Sequence, residues 1–194
     1  MTNTYYAPTG GLPGQDDLLT DRAVFTDAYA VLPRGTMRDI VTSLLHGWDD
    51  TRLWIIARPL SGFAETFSHY IMEVAPNGGS DTPEPDADAE AVLFVVAGVI
   101  SLTLDGQTHD LTVGGYAFLP PGAAWNVRND GVANATFHWI RKAYEPAPGI
   151  PAPKAFVTND NDLAPTPMPD TDGRWATTRF VDPSALAMTC TSTS

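Results

Sequence analysis

The chain has 194 residues, 43% of them apolar and 18% charged, with 23 acidic side chains against 11 basic ones and a formal net charge of −12. That balance excludes a wholly disordered chain and a coiled coil. It also argues against nucleic acid or an anionic membrane as partner, because both need clustered Lys and Arg and no basic patch is present.

The amino terminus lacks the basic region and apolar run of a signal peptide, and no stretch is long and apolar enough for a transmembrane helix. The single Cys190 excludes an internal disulfide and a multi-cysteine zinc site. A soluble, cytoplasmic protein is expected. Residues 1–20 are polar and turn-rich and read as an extended arm. An apolar run over Arg22–Leu32 ends at the turn Pro33-Arg34-Gly35. Short apolar or β-branched segments then follow one another: Met37–Leu45, Leu53–Ala57, Thr66–Val74, Val92–Val96, Val99–Leu104, Thr108–Val113, Tyr116–Leu119, Trp125–Arg128 and Thr136–Tyr144. Turn signals separate most of them, among them Pro76-Asn77-Gly78-Gly79, Asp105-Gly106 and Pro120-Pro121-Gly122. Alternation on both sides of Asp105-Gly106 is a hairpin signal. Many short, evenly spaced strands imply an all-β sandwich or small barrel. Glu145–Asp170 holds seven of the seventeen prolines and reads as a linker or surface strap. Arg174–Met188 turns apolar again.

The segment Gly114-Gly115-Tyr116-Ala117-Phe118-Leu119-Pro120-Pro121-Gly122, continued through Trp125 to Asn129, resembles the second motif of the cupin family, G-x5-P-x-G-x2-H-x3-N. Gly114, Pro120, Gly122 and Asn129 match at the required spacing. Glu90–Gly98 resembles the end of the first motif. The implied fold is the cupin jelly-roll, a double-stranded β-helix. The family's metal ligands are absent at their places: Trp125 stands at the motif-two histidine, Ser80–Glu90 holds no histidine, and the motif-one glutamate position is Ala91.

A narrower resemblance rests on an ordered set: Asp17–Val24, Phe67–Gly79, Glu90–Gly98, Gly114–Gly122 and Trp139–Pro146. Together these resemble the (S)-ureidoglycine aminohydrolases, bicupins of allantoin catabolism in purine degradation. That resemblance implies hydrolase chemistry, release of ammonia from (S)-ureidoglycine to give (S)-ureidoglycolate. It also implies manganese in the carboxy-terminal cupin and a degenerate amino-terminal one. The expected organisation is an arm at 1–20, a degenerate cupin barrel at 21–144, a Pro-rich linker at 145–174 and the truncated start of a second cupin at 175–194. Read one base out of register, the codons of Thr189–Thr193 can encode Asp-Met-His-Val-Asn, which resembles the family's next strand. A one-base deletion near codon 189 is therefore expected, the alternative being a genuine carboxy terminus.

No catalytic residue, metal ligand or cofactor is assigned within the chain. His69, His138 and Trp125 are the candidate substrate-binding residues of the barrel interior. One or both histidines would serve there as a remnant ligand pair or a general base; the favoured alternative is an ordinary hydrogen-bonded core or surface histidine. Trp125 reads as an aromatic wall for a small organic ligand or as a plug, the plug being favoured because an indole buries much apolar area. Asp81, Glu84, Asp86, Asp88 and Glu90 read as a solvated loop, able to gate a pocket if it covers the barrel mouth. The functional expectation is an aminohydrolase relative that is inactive alone. The alternatives are a metal-free cupin that binds a small molecule or serves as an assembly module, and an isomerase or epimerase based on His69 or His138. The expected partners are a small-molecule ligand and further copies of the chain, joined through the cupin sheets.

Overall fold

In this computed structural model the described residues are 24–25, 30–32, 45–57, 66–168 and 171–181. The expected arm, nearly all of the Met37–Leu45 segment and residues 182–194 lie outside them. Among the described residues the chain is all β apart from one 3-10 turn at Asp160–Asp162. β1 (Val24–Phe25) and β2 (Ala30–Val31) form a short ribbon of their own.

The barrel is built from nine strands: β3 (Asp49–Ala57), β4 (Ser68–Ser80), β5 (Ala89–Ala97), β6 (Ile100–Leu104), β7 (Gln107–Leu111), β8 (Gly115–Leu119), β9 (Trp125–Arg128), β10 (Ala135–Ala143) and β11 (Phe156–Asn159). Their order is β11-β8-β5-β10-β4-β9-β6-β7, with β3 also paired to β4. One wall is therefore β11-β8-β5-β10-β4-β3 and the other β9-β6-β7, joined through the far end of β4. All the pairings are antiparallel. The β6–β7 hairpin turns at Asp105-Gly106, where both residues take positive φ, as a two-residue turn of this kind requires.

Alternation sets the two faces of each strand. Tyr70, Met72 and Val74, Ala91, Leu93 and Val95, and Phe137 and Trp139 point inward to one apolar core, which Leu102, Leu104, Leu119 and Val127 complete from the other strands. Met72, Leu93, Val95 and Phe137 are fully buried there. A second, smaller cluster lies on the outer face of β5 and β8 around Val92, Tyr116 and Phe118.

Pro76-Asn77-Gly78-Gly79 does not end a strand, as its composition implies, but lies within β4. The strand bends there to change walls, pairing with β3 and β10 along most of its length and with β9 at Gly79 and Ser80. The Asn77 N–H donates to the Asn129 carbonyl, and the Asn129 N–H to that of Gly78. Gly79 has φ +135, and a Cβ there would lie 2.1 Å from the Val127 carbonyl oxygen. Asn129 is buried; its Nδ2 donates to the carbonyls of Val74 and Ala133, and its Oδ1 accepts from Gly131 N–H. The motif asparagine is thus the clamp holding the β4 bend.

Within the Pro-rich stretch, Phe156–Asn159 adds β11 to the sheet edge against β8. Beyond it, β12 (Thr166–Pro167) pairs with β13 (Ala176–Thr177). Phe180 then stacks on Tyr116 at 4.4 Å between ring centroids, with planes 3° apart.

Candidate functional site

The mouth of the barrel is where β5 and β9 begin and β8 and β10 end. Its rim is one rung of the ladder: Ser68 opposite Arg141, Arg141 opposite Ala91, Ala91 opposite Leu119. The rung beneath is Tyr70, Trp139, Leu93 and Ala117. Trp139 is surrounded by aromatic rings, with centroids of Trp48 at 5.7 Å, Tyr70 at 5.6 Å and Trp125 at 6.1 Å, the last edge-to-face. Such pairs contribute about 0.5–1.5 kcal/mol each beyond burial.

Trp125 lies inward and is 8% exposed. Its indole fills the motif-two ligand position. Ala91, at the motif-one glutamate position, also faces inward, whereas Glu90 shares the outward parity of Val92 and stands opposite Lys142 in register. Among the described residues no three His, Cys, Asp or Glu side chains converge as a metal site.

The two histidines are together but on the other side of the wall. The inward orientation considered for them is corrected by parity: His69 precedes inward Tyr70, and His138 precedes inward Trp139, so both point outward. His69 Nε2 and His138 Nδ1 are 2.8 Å apart, one ring donating and the other accepting. Burial pushes both imidazoles below their usual range, and the charge of His138 adds to the effect on His69, which falls to about 4. Both rings are therefore neutral at neutral pH. The polar members of the same parity, Glu73 and Thr136, were the available signal for an outward face.

The acidic segment 81–88 crosses the mouth. It is mostly exposed, but the Glu84 side chain is only 8% exposed and reaches down to Arg141. Arg141 Nε donates to Glu84 Oε2 at 2.6 Å, and Nη2 to Oε1. Asp86 lies 3.8 Å from the same guanidinium, which sits 5.8 Å over the Trp139 ring. The near end of the segment is tied down by Arg128, paired with both Asp81 and Asp49. Between the segment and the wall is a cavity of about 180 Å³ lined by Glu84, Asp86, Ala91, Leu119, Pro120 and Trp125. Sequence reasoning missed Arg141. Its signal was parity: two residues past Trp139 on an inward-facing strand, it is a cation aimed at the mouth.

Residues 70–141 match the family model of the cupin domain, and the fold is a cupin barrel. Within that fold, the chain is similar to two (S)-ureidoglycine aminohydrolases. It is 27% identical to that of Escherichia coli (strain K12) over 150 residues, 77% of this chain and 55% of that protein. It is 31% identical to that of Arabidopsis thaliana over 126 residues, 64% of this chain and 39% of that protein. The chain thus spans less than two thirds of the length of either relative. A crystal structure of a Pseudomonas aeruginosa protein described as glyoxylate-induced is 63% identical, with a TM-score of 0.79, covering 94% of this chain and 66% of that one.

Proposed function

We propose that this chain is the metal-free cupin unit of an (S)-ureidoglycine aminohydrolase-type bicupin, and that residues 1–194 do not release ammonia by themselves. The observation that carries the reading is Trp125, packed edge-to-face on Trp139 where the cupin motif has its ligand histidine. The matches to two aminohydrolases supply the reaction class. On this reading the hydrolytic site belongs to a second cupin, and residues 175–181 lead towards it. The whole protein acts in allantoin breakdown in the cytoplasm and assembles with further copies of itself through its sheets. Among the described residues no helix is long and apolar enough to cross a membrane.

The test is ammonia release from (S)-ureidoglycine by the purified 194-residue chain, with manganese supplied. No release above the uncatalysed rate is expected; turnover at the rate of an intact aminohydrolase overturns the reading. The cavity at the mouth favours a second role for this barrel, as a small-molecule binding module.

A further inference from the structure

We propose that the barrel mouth binds a small carboxylate, with Arg141 as its anchor, and that Glu84 occupies the ligand's place in this structure. This rests on the binding-module reading and is independent of the aminohydrolase one.

Arg141 is an inward-facing cation at the rim. Arg52, Arg128 and Lys142, the other cations on these strands, adjoin the inward residues Leu53, Val127 and Arg141 and so face outward. The Arg141 guanidinium presents a planar fork, the donor geometry that matches both oxygens of one carboxylate. That fork is filled by Glu84, whose side chain does not come from the barrel wall. It is lowered into the mouth by the 81–88 segment, along the route a free acid would take.

A second donor lies beneath. The indole N–H of Trp139, a residue 4% exposed, has no acceptor among the described residues. Buried donors normally have partners. Arg141 and this buried donor stand at successive inward positions of β10, and an oxygen-bearing ligand is the chemistry both would take. The body of such a ligand has room beside Glu84, whose carboxylate it would replace on Arg141: the cavity that Glu84 lines holds about 180 Å³, roughly six water molecules. Ala91, Leu119 and Trp125 give it apolar walls.

Exchange of one carboxylate for another conserves the ion pair, so Arg141 is never left buried and uncompensated. Withdrawal of Glu84 takes Asp86 with it, removing the nearer source of repulsion. Glu84 is therefore an internal competitor that keeps affinity low in the unmodified chain.

The experiment is calorimetric titration of the 194-residue chain with sodium acetate and glycolate at constant ionic strength, with acetamide and methylammonium chloride as controls. Glu84→Gln keeps the side-chain size and removes the competing charge. It is expected to bind acetate about tenfold or more tightly than the unmodified chain, a change of about 1.4 kcal/mol. Arg141→Gln is expected to lose binding. Equal acetate affinity with and without Glu84 overturns the proposal. Acetamide bound as tightly as acetate, or methylammonium bound instead, also overturns it, while leaving a binding module of another specificity. The unmodified chain gives a test that needs no variant. The indole N–H resonance of Trp139 should move with acetate and not with chloride. An immobile resonance overturns the proposal whether or not the variants fold.

Discussion

His69 and His138 show how an imidazole pair placed on an outer face makes folding sensitive to acid. Both rings are held below the ordinary histidine range, chiefly by burial. Between the unfolded value of 6.5 and the folded value of about 4 for His69, the unfolded chain binds more protons at this site than the folded one. Stability therefore rises with pH across that window; it is full above it and is lost as the pH falls towards 4. The charged neighbours on this face, Arg52 with Glu73 and Glu90 opposite Lys142, lie at its two ends. The urea midpoint of the unmodified chain should fall more steeply between neutral pH and pH about 4.5 than that of His69→Gln, whose side chain cannot titrate in this window. Parallel slopes would contradict the neutral pair.

At the scale of the element, β4 decides the architecture. It serves one wall with most of its length and the other with its last two residues, and the bend between them is glycine-dependent. At Gly79 an added Cβ meets backbone, the Val127 carbonyl oxygen and the Arg128 Cα, so no side-chain rotation relieves it. Gly79→Ala should cost about 2–4 kcal/mol, combining positive-φ strain with the forced separation of β4 from β9. Denaturant unfolding measures it, and a loss under about 1 kcal/mol would show that the two strands part without cost. Gly114 is crowded instead by the side chain of Asp160, whose N–H donates to the Gly114 carbonyl and ties the β7–β8 corner to the 3-10 turn after β11. Most of these strands are legible from alternation and from turn chemistry at Asp105-Gly106 and Pro120-Pro121-Gly122. The continuation of β4 through Pro76–Gly79 is not, because the same four residues make a tight turn or a bend within a strand. Only the partner β9, with Asn129 beside it, selects the bend.

The whole molecule adds a layer outside the barrel. Phe180 closes back over β8 and β5, stacking on Tyr116 and standing 5.7 Å from Phe94. The chain past the Pro-rich stretch is thus joined to the outer sheet. Phe180→Ala should lower global stability by about 1–3 kcal/mol, from lost burial and stacking. An unchanged urea midpoint would mean that this segment folds independently of the barrel.

The sequence by itself determined the cupin barrel, since glycine, proline and asparagine at fixed spacing dictate local backbone geometry wherever they stand. It also placed Trp125 at the position of the motif-two histidine, because that needs only a motif position and a residue type. The rest required the fold. Glu84 and Arg141 are 57 residues apart, and nothing local to either predicts that a loop carboxylate will fill the fork at the mouth. The outward placement of His69 and His138, and the single neutral pair they form, depend on which face of a wall apolar on both sides closes around the core. That choice is made by the packing of Tyr70, Leu93, Trp125 and Trp139 against one another, a cooperative property of four strands at once.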